Sequence, residues 1–289
     1  MLADLDLLLI AVFCTADDLL PQAAKNARRI LTDSEVVTLC VAQAIMGISS
    51  DARFLKVARK QLAHLFPVLP DRPGYLKRRQ RLSVTIEWLT VVFASDSPGF
   101  HDDVVLVDST PIECARSVDT TRRSQLADAA DYGYCASHSR YFWGFRLHGL
   151  FALDGTPRAL LLTSPKTPER DVCLTLLERC QRNGHLFVIG DKGYAGREFE
   201  ALAVQLDATI VRPRRRDEAA RGPHLAPIRQ RVESIFQTCK DLLTLERHGA
   251  RTLNGLATRL KVRFLALAAA ISLNHRLARP PRALADYTA

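Results

Sequence analysis

Apolar positions along the chain change period twice, and the changes mark out its elements. Residues 1–94 read as helices. Leu31-Thr32-Asp33-Ser34-Glu35-Val36 is a compact start signal: Thr32 caps, Glu35 completes a capping box, and Leu31 staples onto Val36. Val36, Val37, Leu39, Cys40, Ala44 and Met46 continue that helix until Gly47. Phe54, Val57, Leu62 and Leu65 predict another, rich in Arg53, Lys56, Arg59 and Lys60. Pro67–Gly74 reads as a linker, and Tyr75–Phe93 as one further helix opening on Lys77, Arg78, Arg79 and Arg81. Basic helical faces of this kind suit either a DNA reader of helix-turn-helix type or a plain scaffold. Ser95–Gly99 has loop composition and is taken as the domain boundary.

Beyond it the period shortens. Val104–Val107 is a continuous apolar run, expected as a buried strand ending at Asp108 and broken by Ser109-Thr110-Pro111. Glu113–Arg140 has no period and reads as a long loop. Phe142–Leu153 alternates, with Trp143, Phe145, Leu147 and Phe151 on one side and Arg146 and His148 on the other. Asp154-Gly155 then predicts a hairpin with Arg158–Thr163 as the return strand. A helix opens at Thr167-Pro168-Glu169, with Thr167 as cap. The strand Leu186–Ile189, a helix around Phe199–Leu206 and the strand Ala208–Val211 follow. The order predicts a mixed sheet with helical crossovers.

The last third returns to helical spacing. Ile228, Val232, Ile235, Phe236, Cys239, Leu242 and Leu243 form an apolar stripe from about Pro227 to Glu246. Arg229, Glu233, Gln237 and Lys240 form a second stripe beside it, which reads equally as an Arg–Glu pair on a solvated face. Thr252–Leu277 is one more helix, apolar on one side and basic at Arg259, Lys261 and Arg263.

Charge sharpens this picture. The chain of 289 residues has a formal net charge of +9. Residues 212–289 alone carry a net +10, and Arg212–Arg216 holds four arginines, so a polyanion is the expected partner. The seven cysteines are scattered without a Cys-x-x-Cys pair, which supports neither a disulfide framework nor a zinc site. Leu7–Cys14 follows Asp4 and Asp6 rather than a basic region, so no signal peptide is read. Val262–Leu273 is too short to span a bilayer. A cytoplasmic, membrane-free protein is expected.

The candidate chemistry sits where the apolar runs stop. Phe187–Gly196, FVIGDKGYAG, places Asp191 at the carboxyl end of a strand, as Val104–Val107 does Asp108. Open sheets of this type hold ligands at those ends, although an isolated Asp-Lys-Gly string is an ordinary turn. Two strand-end carboxylates and a helix carboxylate suit hard divalent cations. Two such ions clamp an in-line phosphoryl displacement. No P-loop, dinucleotide fingerprint or nucleophile elbow competes. His148 suits packing or hydrogen bonding better than Mg2+, and Trp143 suits the core.

Four blocks, VVLVDST, YFWGFRLHGLFALDG, FVIGDKGYAG and IRQRVESIFQTCKD, stand in the order found in DDE insertion-sequence transposases. The chain resembles that family over about residues 31–277, and most closely insertion-sequence family nine-eighty-two. It departs at Ala226, where many relatives have Tyr three positions before the Arg. The resemblance implies an α/β, RNase H-like catalytic domain, placed over residues 95–289 by the boundary at Ser95–Gly99; the basic helical faces of residues 1–94 make that segment the expected DNA-end-binding domain. It implies Asp108, Asp191 and Glu233 as catalytic residues and ligands of two divalent ions, Mg2+ or Mn2+. Arg229 and Lys240 are expected at DNA phosphates or as neutralisers of Glu233, and Arg214, Arg215 and Arg216 at DNA. The partners implied are double-stranded DNA, as terminal repeats and target, and a second copy of the chain. The expected reaction is cleavage at the element's ends followed by joining to a target. Hydrolysis without joining, and DNA binding without catalysis, are the alternatives.

Overall fold

The computed structural model describes residues 2–22, 29–135, 139–182, 184–214 and 225–288, without the side chains of residues 2, 3, 226, 227 and 229. The chain forms two compact units, residues 1–94 with 238–289, and residues 95–237. The C-terminal residues, expected with the catalytic domain, therefore group with the N-terminal helices. The reason is hydrophobic: the helix Leu253–Arg276 is apolar nearly all round and needs cover on every side.

The first unit is helical. α1 (Leu2–Leu19) buries Leu5, Leu8, Leu9, Val12 and Ala16 along one stripe. α2 (Asp33–Ile45) starts at Thr32 with both capping-box bonds in place, and almost every side chain in it is buried. α3 (Asp51–Gln61), α4 (Arg72–Arg81) and α5 (Ser83–Ser95) follow. Pro73 and Gly74 are not linker residues. They form the first turn of α4, where Asp71 caps Gly74 N at 2.9 Å and a missing proline N–H costs nothing. The single helix expected over Tyr75–Phe93 is divided at Leu82. α10 (Leu253–Arg276) and α2 pack together at the centre.

The second unit is a six-stranded mixed sheet with flanking helices. Its strands are β1 (Val104–Ala115), β2 (Asp131–Cys135), β3 (Arg140–Ala152), β4 (Pro157–Thr163), β5 (Leu186–Ile189) and β6 (Ala208–Val211). They run in the order β2-β3-β1-β5-β6, with β4 also paired to β3. β2 pairs with residues 140–144 of β3 and β4 with residues 146–151, so the two lie end to end along one edge. β1 does not break at Pro111, as expected, but continues to Ala115. Past Leu106 it pairs with β3 alone, so a proline lacking an N–H is tolerated. The segment expected to be a long loop contains α6 (Val118–Arg123) and β2.

α7 (Glu169–Arg179) and α8 (Arg197–Gln205) cover one face of the sheet. Val172, Cys173, Leu176, Leu177, Phe199 and Ala203 pack there with Val105, Val107, Leu150 and Val188. α7 starts one residue later than expected, with Pro168 rather than Thr167 at its cap. Phe151 of β3 meets Phe236 of α9 (Ala226–Asp241) edge to face, ring centroids 5.4 Å apart. All seven cysteines are thiols. Cys14 is exposed, Cys114 half-buried and the other five buried. Among the described residues no helix is long and apolar enough to cross a membrane.

Candidate active site

Strand pairing fixes two of the three candidate carboxylates. Leu106 and Ile189 are the last partners in the parallel β1–β5 ladder. Asp108 and Asp191 each stand two residues beyond that pair, where the strands part. Two residues is one strand period, so each aspartate emerges on the side of the residue before the fork. Asp108 is in register with Gly149 of β3 and takes a 2.7 Å hydrogen bond from Ser109 N. Asp191 caps a short 3-10 turn, accepting from Gly193 N at 2.7 Å. In each bond one carboxylate oxygen accepts, which leaves the other to face a ligand.

Gly149 and Gly190 permit close approaches around this fork. A Cβ on Gly190 would lie 2.7 Å from the Tyr194 ring and 3.0 Å from Val107. A Cβ on Gly149 would lie 2.4 Å from the Phe151 ring. Phe151 in turn holds Phe236, three residues after Glu233 on α9. In a helix that spacing puts Glu233 and Phe236 on neighbouring faces. The contact with Phe151 thus anchors the helix that carries Glu233, whose side chain is exposed.

Electrostatics link the carboxylates. Burial, followed by the negative charges of Asp191, Glu169 and Glu233, pushes the Asp108 carboxyl up to about 7, against the lowering effect of its bond from Ser109. Three elements therefore bring like charge within reach of one half-buried acid. Among the described residues, however, no three His, Cys, Asp or Glu side chains stand close enough to hold a single ion.

Glu169 and Arg170 belong to the site and are not among the residues expected from the sequence. Ser109 Oγ donates to Glu169 Oε1 at 2.7 Å, and Arg146 Nη1 pairs with the same oxygen. Arg146 also donates to Ser109 Oγ at 3.2 Å and to Tyr134 O at 2.9 Å. Arg170 Nε donates to Gly193 O at 3.0 Å. The first turn of α7 thus ties down both the strand carrying Asp108 and the turn carrying Asp191. Tyr194 is buried beside them, and desolvation followed by the charge of Glu169 keeps its hydroxyl protonated. The sequence signal was the acidic first turn after Pro168, which by itself reads as a complement to the helix dipole.

Of the expected DNA contacts, the side chains of Lys240 and Arg214 are described. Lys240 is mostly buried and pairs with Glu246 at 3.0 Å, within the helical unit. Arg214 is exposed. Arg215, Arg216 and the Arg229 side chain lie outside the described residues. Arg259 and Arg263, expected on a basic face of the last helix, are buried instead. His148 is buried with Nε2 3.1 Å from Thr163 Oγ1, and Trp143 lies in the core, both as expected.

Residues 99–269 match the family described as the transposase DDE domain, which is more than half of the chain. The chain belongs to that family. The transposase domain match contains Asp108, Asp191 and Glu233, and it runs through the whole sheet into α10. No curated protein matches the chain significantly in sequence. A piggyBac transposase, solved by cryo-EM as a synaptic complex with hairpin DNA, has a similar fold, with a TM-score of 0.52. That likeness covers 98% of this chain and 78% of the other at 9% identity, and it is a likeness of fold. A pre-cleavage Mos1 transpososome aligns over 89% of this chain and 81% of its own at 12% identity, with a TM-score of 0.21 that carries no argument about fold.

Proposed function

We propose that this transposase cuts the ends of an insertion sequence of family nine-eighty-two and joins them to target DNA, with Asp108, Asp191 and Glu233 as its catalytic carboxylates. The observation that carries the reading is the fork between β1 and β5, where Asp108 and Asp191 each stand two residues past the last paired residues, inside the stretch that matches the transposase DDE domain. Carboxylates gathered at such a fork repel one another until a cation joins them. The donor set fits Mg2+ or Mn2+, being all carboxylate oxygen. Asp108, Asp191 and Glu233 would hold these ions between them. When bound, the ions would activate the attacking oxygen and neutralise the leaving one.

The chain's own residues prepare that site. Ser109 N and Gly193 N each hold one aspartate oxygen and so aim the other. Glu169, paired with Arg146 and Ser109, ties down β1 and would stay out of ligation. Arg214, Arg215, Arg216, Arg229 and Lys240 would hold DNA phosphates, Lys240 after exchanging Glu246 for one. The residue 1–94 segment would read the terminal repeats, and a homodimer would pair two DNA ends.

The test measures cleavage and joining of pre-cut ends in Mg2+ for Asp108→Asn, Asp191→Asn, Glu233→Gln and, as a contrast, Glu169→Gln. The first three should lose both activities by at least about a hundredfold, the scale of removing one electrostatic interaction from a transition state, while still binding DNA. Glu169→Gln should mainly lower stability. A folded Glu233→Gln protein that cuts at the wild-type rate removes Glu233 from the site. Cleavage without joining would leave a nuclease.

A further inference from the structure

The helical unit encloses more positive charge than its one buried carboxylate can match. Arg79, Arg259 and Arg263 are 2%, 8% and 5% exposed, and Asp51 is 5% exposed. Asp51 is fully engaged: it accepts from Arg79 at 2.9 and 3.1 Å, from Arg259 at 2.7 Å and from Gln43 at 3.0 Å. Among the described residues Arg263 reaches only neutral oxygens, Thr244 O and Oγ1 at 3.2 Å and Arg259 O at 2.8 Å. Cys40, Tyr75 and Cys239 face the same cluster, and burial raises all three, so they add no negative charge at neutral pH. Three guanidiniums against one carboxylate leave a formal excess of two buried positive charges among the described residues.

Charge buried without a counter-ion is costly, and a protein resolves it by losing the charge or by supplying a partner. Arginine does not readily lose its proton. Burial and the other two arginines push Arg263 down to about 9, which still leaves it charged at neutral pH. A small cleft is lined by Gln43, Ser49, Arg79, Thr244, Arg259 and Arg263, with space of about 10 Å³. That volume accommodates about one water-sized occupant. Arg79, which lines this cleft, has its Nε buried with no hydrogen-bond partner among the described residues.

We propose that this cleft is a structural site for one small inorganic anion of chloride size, held by Arg79, Arg259 and Arg263. The low exposure of the three arginines keeps a DNA backbone away. Such an ion would join α2, α4 and α10 with the Thr244 turn through one shared charge. The site lies within the helical unit and stands whether or not the catalytic reading does.

The experiment compares thermal unfolding of the full chain in sodium chloride and in sodium gluconate at matched ionic strength. Chloride should raise the midpoint by a few degrees, growing with the logarithm of its concentration, as for any ligand that binds only the folded state. Arg263→Met removes one excess charge, so the chloride–gluconate difference should shrink by at least half, whereas general salt effects would survive the substitution. Crystals of the wild-type chain soaked in bromide provide a second reading that does not depend on the variant folding. An anomalous peak beside Arg79 Nε is expected. Equal midpoints in the two salts, or bromide peaks on the surface only, would overturn the proposal.

Discussion

His148 is held neutral in the sheet. Desolvation, followed by the positive charge of Arg146, lowers its pKa from 6.5 to about 4. The folded state therefore binds fewer protons than the unfolded chain between those values, so stability rises with pH across that window and is lost as pH falls through it. His148→Gln removes this titration. Its melting temperature should fall less than the wild type's between pH 6.5 and 4, at the cost of a lower value near pH 8 from altered packing around Thr163. Parallel pH profiles for the two proteins would count against a buried neutral histidine. At the residue scale the sequence showed the strand-end aspartates clearly, because Asp108 and Asp191 interrupt apolar runs. Glu169 was not legible as part of the site, since its role comes from Ser109 and Arg146, which are distant in sequence.

Among the elements, α9 depends on a contact that begins with a missing side chain. Gly149 lets the Phe151 ring fold back beside it, and that ring receives Phe236. Gly149→Ala should displace the ring by more than an ångström, at a cost of about 1–3 kcal/mol as in other overpacked cores. Because the ring supports α9, cleavage should fall further than this loss of stability explains. Denaturant melts and single-turnover rates measured on the same variant separate the two effects; a full-rate, destabilised enzyme would detach Gly149 from the placement of Glu233. Elements with strong local signals were readable in advance, as the Thr32 capping box and the Asp154-Gly155 hairpin show. β2 was not, because its alternate positions, Tyr132 and Tyr134, are exposed aromatics flanking a glycine and carry no inward apolar stripe. The continuation of β1 through Pro111 depends on which edges are paired, and that is a property of the sheet rather than of the segment.

For the whole molecule, the net +10 of residues 212–289 overstates what DNA would meet. Arg212 pairs with Glu200, Lys261 with Glu87 and Arg279 with Asp4, and Arg259 and Arg263 are buried. Arg214, Arg247 and Arg251 are exposed. Replacing these three by Ala should lower the slope of log affinity against log salt by up to about 0.9 for each phosphate no longer neutralised; an unchanged slope in salt-dependent binding titrations would move the DNA-binding surface elsewhere. The cysteines provide a way to count chains. A thiol reacts as its thiolate and only where reagent can reach it. Five of the seven are buried, Cys114 is pushed up to about 12 by burial and the neighbouring Glu113, and Cys14 stands exposed on α1. A brief maleimide reaction on the native protein should attach one dye per chain, verified by intact mass. Each labelled molecule then becomes a single emitter, and a complex assembled on paired DNA ends should go dark in two photobleaching steps, one for each copy.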